Sequence, residues 1–520
     1  VTVDRLYLLA LLIVQFSFPI CNPTSEICNP MSDYPYDIII GLETHVQLLT
    51  KTKLFCRCST RFGAEPNTQT CPVCIGMPGS LPVMNREAFQ LALQTAIALN
   101  CEIPEFTKWD RKNYYYPDLP KGYQISQYDL PMSQKGWLEI FDTKGEFEPK
   151  RVGITRAHLE EDAGKSLHDE AHGKSDTRID LNRTGTPLLE IVSEPDMRST
   201  KEARAYLTEL KLLLTYLGVS DCNMQEGSLR VDANVNIHIH TPNGKVATPI
   251  VEIKNLNSFR FIERALAYEV QRQYKVWQET GRTIKDYPKQ TRGWDDARGI
   301  TLSQREKEDS ADYRYFPDPD LAPVITPKAE TAQIRASLCE LPAAIRSRLE
   351  GSYGVTRYDS DVVVIQGRPF VDYYEEVAKL AGDGKKAANW VTQEVLRVLN
   401  EQGGDIQSFR IRPPALADLV TLVISGDLEV TRAKEVFNDM LASDRSAADS
   451  MKALGIAKVD LSELEAICKE LVAANPKIVA DVKSGKVQAV GSLLGQAKKR
   501  NPNANPNDVR RICLELIEKM

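Results

Sequence analysis

The sequence has no long apolar run. Its most hydrophobic stretch, YLLALLIVQFSFPI at residues 7–20, is about 14 residues, short of the ~20 that a bilayer-spanning helix needs. Basic charge is not in excess either. Lys and Arg number 65 against 71 Asp and Glu, a net charge of -6, so no global positive field draws nucleic acid to the chain. Any RNA contact must run through a local patch. Cysteine is sparse, 11 in 520 residues, and odd in number, which excludes a disulfide scaffold. Three signatures are missing: the GxxxxGK[ST] phosphate loop, the Rossmann glycine fingerprint and the GxSxG nucleophile elbow. No cysteine outside one cluster sits in a nucleophile motif, so hydrolysis through a nucleophile of this chain is disfavoured. With 42% apolar and 26% charged residues, the composition is that of a soluble globular protein.

The amino terminus stands apart. Asp4 and Arg5 make a weak positive region for a secretory signal, whereas MSDYPYDIIIGLETHVQL from Met31 reads as a natural beginning. Residues 1–30 therefore read as a mis-assigned start or a disordered extension.

What is present begins with FCRCSTRFGAEPNTQTCPVC, in which Cys56, Cys58, Cys71 and Cys74 fall within nineteen residues. Two close pairs separated by a short loop match a tetrahedral four-thiolate zinc site. Four thiolates leave no open position, so the reading is structural zinc. The single residue between Cys56 and Cys58 is one fewer than usual.

Strand and helix signals divide the rest. YDIIIGLETHVQL reads as a strand that carries Glu43 and His45 on one face, and period two in VDANVNIHIH puts Val231, Ala233, Val235, Ile237 and Ile239 on another. A TPNGK turn with Asn243-Gly244 predicts a hairpin into VATPIVEIKNLNS. Apolar stripes predict helices over 86–100 and 199–218. From about residue 329 the pattern is helical, and Pro413-Pro414 marks a joint. The expected fold is α+β. A large mixed-sheet domain over 36–328 precedes an all-helical domain over 329–412 and a small helical tail domain over 413–520.

Polar residues gather unusually densely in four segments. RAHLEEDAGK holds Glu160, Glu161 and Asp162. DLNRTGTPLLEIVSEPD holds Asp180, Asn182, Arg183 and, inside an apolar strand, Glu190. GSLRVDANVNI puts Arg230, Asp232, Asn234 and Asn236 on one polar face, and EIKNLNS adds Glu252, Lys254, Asn255 and Asn257. A later segment contributes Arg305, Lys307, Asp312, Arg314 and Tyr315. A carboxylate in an apolar strand needs a metal or a cationic partner. Acids, amides and bases at this density suit a cleft holding Mg²⁺ and a nucleotide against a second polar substrate.

GLETHVQL, CPVCIGMPGSLPVMNREA, RKNYYYPDLPKGYQISQYDLP, HLEEDAGKSLHD, DLNRTGTPLLEIVSEPDMRS and DYRYFPDPDL together resemble the GatB family, the B subunits of aspartyl/glutamyl-tRNA amidotransferases, over about residues 36–520. The resemblance implies a cradle-like catalytic domain, then a helical domain and a tail domain that contacts tRNA. It implies ATP-dependent transamidation of misacylated Glu-tRNA(Gln) and/or Asp-tRNA(Asn). The acyl carboxylate is phosphorylated and ammonia displaces the phosphate. The implied partners complete a heterotrimer: an amidase subunit, which releases ammonia from glutamine, and a small third subunit. The implied cofactors are ATP, Mg²⁺ and structural Zn²⁺. Carried onto this sequence, the catalytic metal falls to Glu43 and His45 with Glu160 or Glu161, and Glu190 as a further ligand. Arg183, Lys254 and Asn255 fall to phosphate or acceptor-end contacts, and Asp180, Asn182, Arg230 and Asp232 to nucleotide binding. The four cysteines match members that retain zinc. A bacterial cytoplasmic setting without stable membrane association is expected, ahead of an organellar one. Residues 471–520 carry nine basic against four acidic residues, a local patch suited to phosphate backbones.

The chemistry is coherent on physical grounds. A carboxylate is a poor electrophile for ammonia, and phosphorylation gives its oxygen a good leaving group. The protein then has to position groups and neutralise charge. The sequence leaves two other readings open: a non-catalytic, zinc-stabilised tRNA-binding scaffold, and a small-molecule carboxylate kinase that would leave the basic tail without a purpose.

Overall fold

The computed structural model describes residues 34–168, 177–286, 289–304, 313–456, 461–501 and 503–520. Residues 1–30 and the positions Arg305, Lys307 and Asp312 lie outside them.

A nine-stranded mixed sheet organises the first part of the chain. Its strands are β1 (Tyr36–Gln47), β2 (Gln134–Ile140), β3 (Lys150–Glu161), β4 (Pro187–Ser193), β5 (Leu229–Thr241), β6 (Gly244–Ala247), β7 (Ile250–Lys254), β8 (Lys289–Asp295) and β9 (Ile300–Ser303). The order is β9-β8-β7-β5-β1-β4-β3-β2, with β6 paired to β5. All the pairings are antiparallel except β7 with β8. The long centre is β1 against β5, where Glu43 faces Asp232 and His45 faces Arg230.

One face of this sheet is apolar and covered by helices. On β1 and β5 the buried set is Ile40, Leu42, Val46, Val231, Ala233, Val235 and Ile237, the period-two set of each strand. Helices α1 (Arg86–Ala98), α2 (Thr200–Tyr216) and α3 (Phe259–Thr280) supply Ala92, Leu93, Ala96, Tyr206, Leu210, Leu214, Ala265, Leu266 and Val270 to the same core. Each helix begins where a side chain satisfies a first-turn amide. Asn85 accepts from Ala88, Ser199 from Glu202 and Ser258 from Phe261, the N-cap bond worth about 1 kcal/mol. The alternate residues of β1, β4, β5 and β7 face the other way and carry the polar groups.

The hairpin from β5 into β6 turns one residue earlier than the sequence implied. Thr241 pairs with Gly244, so Pro242 and Asn243 form the two-residue loop, and Gly244 at φ 113° opens the return strand.

The helical part divides differently from expectation. The helix Pro413–Ile424 begins with Pro at its first positions, which is compatible with a helix start and not only with a break. Its Leu416, Ala417, Leu419 and Val420 belong to the same buried cluster as Ile345, Phe370, Tyr374 and Val391, and that cluster runs on to Ile456. A separate core begins at Leu464 and ends at Ile517. The joint therefore lies after Ile456, not at residue 413. The first two cores are clamped together by Arg346, which donates to Glu209 of α2 at 2.8 and 2.9 Å and to Asp361 at 2.9 Å. Within the stretch of 388–404, Val391–Val395 form a π-helical turn.

Candidate active site

The polar face of the sheet is built by register. Because Glu43 pairs with Asp232, and Asn234 with Glu252, the side chains of Glu43, Asp232 and Glu252 bring a carboxylate oxygen each within 4.8 Å of one another. One step along the strands, His45 lies opposite Glu190, and Glu190 opposite His158. His45 Nε2 stands 3.7 Å from Glu190 and 3.8 Å from Glu160. Those gaps are too long for direct hydrogen bonds. They fall within the ~3.0–4.2 Å that separates two ligands each ~2.1 Å from one Mg²⁺. His45, Glu160 and Glu190 thus form a second group whose ligand atoms all lie within 4.8 Å.

Alternation separates the two adjacent glutamates. Glu160 sits on the face of β3 with His45 and accepts from Ser126 Oγ at 3.3 Å. Glu161 turns to the opposite face, where it is ion-paired with Lys121 and accepts from the amide of Ile125 at 2.8 Å. Of the pair left open by the sequence, Glu160 joins the cluster and Glu161 does not. Asp162 ends the segment as a pivot: Arg230 donates to it at 2.9 Å and Gln47 at 2.7 Å, with Arg183 3.6 Å away.

Cations balance these acids. Lys254 bridges Asp232 at 2.8 Å and Glu252 at 3.1 Å. Burial works against its charge, but the two carboxylates outweigh burial and raise its pKa. Lys112 enters from a small sheet of Asp110–Asn113, Tyr123–Ser126 and Phe316–Pro317. Burial likewise opposes its charge, and Glu160 foremost, then Tyr315 and Glu190, hold it protonated. Its amine lies 5.1 Å from the Tyr313 ring centroid. Burial would raise the Glu190 carboxyl. The charge of His158, 3.3 Å away, its hydrogen bond, and the charges of His45 and Lys112 overcome burial and hold Glu190 below the usual carboxylate range. Burial also pushes the Tyr315 phenol up to about 12, and the ring stacks on Tyr128 at 4.1 Å.

Several expected site residues do other work. Asp180 accepts from the backbone amides of Asn67 and Asn182, and the Asn182 side chain accepts from the Gln69 amide and donates to the Glu65 carbonyl. Both stitch the cysteine loop to the body and leave the acidic face to others. Arg183 donates to the carbonyls of Ala163 and Gly164, holding the turn after Asp162. Arg230 is held on Asp162. Asn255 is exposed just past β7, in the left-handed region at φ 66°. Lys112 and His158 were missed. His158 was legible, since it lies two residues before Glu160 on the same strand. Lys112 carries no local signal, because a different sheet delivers it.

The cysteine loop converges as its spacing implied. Cys56, Cys58, Cys71 and Cys74 bring their sulfurs within 4.8 Å of one another, all four as free thiols. Cys71 and Cys74 lie 3.9 Å apart, Sγ to Sγ, far beyond a disulfide and near the ~3.8 Å edge of a tetrahedron with ~2.3 Å zinc–sulfur bonds. The Cys74 thiol is drawn down to about 4, through its hydrogen bond with Cys56 first, with burial opposing and the nearby Lys53 ammonium assisting. Lys53 is fully buried and donates to Gln69 O at 2.7 Å. The donor set and spacing fit zinc.

Comparison with known proteins decides the family. A GatB/GatE catalytic domain model matches residues 38–332 and a GatB domain model matches 372–517. The chain belongs to the GatB family. The B subunit of the aspartyl/glutamyl-tRNA(Asn/Gln) amidotransferase of Rhodopirellula baltica is 60% identical over 94% of this chain and 98% of its own length. Counterparts from Carboxydothermus hydrogenoformans and Moorella thermoacetica are 47% and 45% identical, each over 93% of this chain and 99% and 100% of their own lengths. In this GatB chain, both acidic groups and the cysteine cluster fall inside the catalytic-domain match. Among the described residues no helix is long and apolar enough to cross a membrane.

Proposed function

We propose that this chain is the B subunit of an ATP-dependent amidotransferase that converts misacylated Glu-tRNA(Gln), Asp-tRNA(Asn) or both to the amidated form. The observation that carries the reading is the convergence of Glu43, Asp232 and Glu252 beside His45, Glu160 and Glu190 on one sheet face, with Lys112 and Lys254 interleaved. That arrangement suits a phosphoryl-transfer site, where positioning and charge neutralisation dominate.

The residues divide the work. His45, Glu160 and Glu190 would hold Mg²⁺, and Glu43, Asp232 and Glu252 offer a second oxygen-rich position. When bound, Mg²⁺ supplies neutralisation of phosphate oxygens. Lys254, held between two carboxylates, and Lys112, held beside Glu160, place ammonium groups where negative charge accumulates on the γ-phosphate and the acyl carboxylate. No protein nucleophile is needed: the substrate carboxylate attacks the γ-phosphate, ADP leaves, and ammonia then displaces phosphate from the acyl phosphate. Ammonia arrives from the amidase partner, and a small third subunit completes the heterotrimer. Exclusion of water protects the acyl phosphate from hydrolysis. The cysteine loop would carry structural zinc. The tail domain would contact the tRNA backbone, and the whole would act in the bacterial cytoplasm.

The test is reconstitution with the amidase and the small subunit and both misacylated tRNAs. Amide formation that requires ATP, glutamine and this chain supports the reading. ATP-dependent phosphate transfer that persists without the chain would transfer the chemistry to its partners.

A further inference from the structure

On the opposite side of the sheet from the acidic face lies a cavity of about 340 Å³, between β7, β8 and β9 and the C-terminal half of α3. Its position follows from alternation. Val251 lines it, whereas its neighbour Glu252 belongs to the acidic face. Arg272, Arg282 and Arg292 line it, with Gln290, Ser303 and Trp277. No carboxylate lines it among the described residues. One acid, Glu269, lies behind the wall and is fully buried. It accepts from Arg272 Nε and Nη2 at 2.6–3.0 Å and from Thr301 at 2.7 Å, and stands 3.7 Å from Arg292. Arg292 donates Nε and Nη2 to Thr301 at 2.8 and 2.6 Å. Nη1 of Arg272 and of Arg292 therefore has no hydrogen bond among the described residues. Two guanidiniums share the single carboxylate of Glu269, which leaves the wall positive. Burial and the neighbouring Arg272 already disfavour the charge of Arg292. Glu269 balances one of the two arginines, so the pair leaves a net positive charge at this wall.

We propose that this cavity is a binding site for a small phosphate-bearing molecule, its phosphate held by Arg272, Arg282 and Arg292 and its remainder against Trp277. Planar forks of this kind suit bidentate recognition of phosphate. The volume is in the range of small-ligand sites and exceeds what inorganic phosphate alone fills. The inference goes beyond the reading of the acidic face and does not depend on it.

Calorimetric titration of the full-length chain with AMP, inorganic phosphate and adenosine tests it. The double variant Glu43→Gln, His45→Ala is titrated in parallel to remove any contribution of the acidic face. The expected result is one site per chain for AMP or phosphate in that double variant, and none for adenosine. Arg282→Glu, an exposed position whose loss spares Glu269, should weaken binding about tenfold or more. Arg292→Lys, which keeps the charge but loses the fork, should weaken it less. AMP binding tighter than phosphate supports the seat against Trp277; equal affinity of the two overturns it. Absence of binding by both up to about 5 mM, adenosine binding as tightly as AMP, or affinity unmoved by Arg282→Glu overturns the proposal.

Discussion

The cysteine loop and the acidic face each gather side chains that could hold a cation, and they do so by opposite means. Residues 48–85 hold no helix and, apart from one bridge between Thr52 and Ser59, no strand. Their four thiols converge through loop bonds from Lys53, Asn67 and Asn182 to backbone. The acidic face is a register effect instead, since each ligand stands on a strand whose alternate residues are packed in the core. With zinc bound as proposed, order in the loop should depend on the metal, because binding free energy there is folding free energy. The sheet site should keep its shape without one.

The sharpest way to break that contrast is Cys74→Ser. Bound zinc should fall from one equivalent to none, and segment 56–85 should become the first site of limited proteolysis. Retained zinc and retained protease resistance would erase the distinction. Next comes Lys121→Ala, which strands Glu161 buried on the far face of β3. Removing one partner of a buried pair costs about 3–5 kcal/mol, read as a lower urea midpoint, and zinc content should be unaffected. Asn182→Ala removes the stitches to Gln69 and Glu65 and should cost about 1–2 kcal/mol, with a measurable fall in zinc affinity. Smallest is the pair Lys498→Ala, Lys499→Ala in the basic tail. It should weaken tRNA binding a few-fold and flatten its salt dependence, with amidation at saturating tRNA unchanged.

Most of the acidic face was legible because strand periodicity is a local property. Glu43 with His45, and Arg230 with Asp232, could be placed on shared faces from spacing alone. What spacing could not supply was the partner strand. Glu160 and Glu161 are indistinguishable until the register of β3 is known. Asp180, Asn182 and Arg183 look like ligand-binding groups in sequence, but the contacts that occupy them come from residues 64–69 and 163–164, including a loop more than a hundred positions away. Lys112 shows the same limit from the other side, since a separate sheet brings it to Glu160. The boundary after Ile456 was missed for a different reason. Pro413 and Pro414 start a helix as readily as they end one, and only the shared core with Phe370 and Tyr374 shows which.

The phosphorylation step is proposed for the sheet face. The direct measurement is single-turnover acyl-phosphate formation, trapped with hydroxylamine, in the reconstituted complex carrying Glu43→Gln with His45→Ala. The expected result is a loss of about a hundredfold or more, with tRNA affinity, zinc content and thermal midpoint near those of the parent. Acyl phosphate forming at the parental rate in that variant would contradict it.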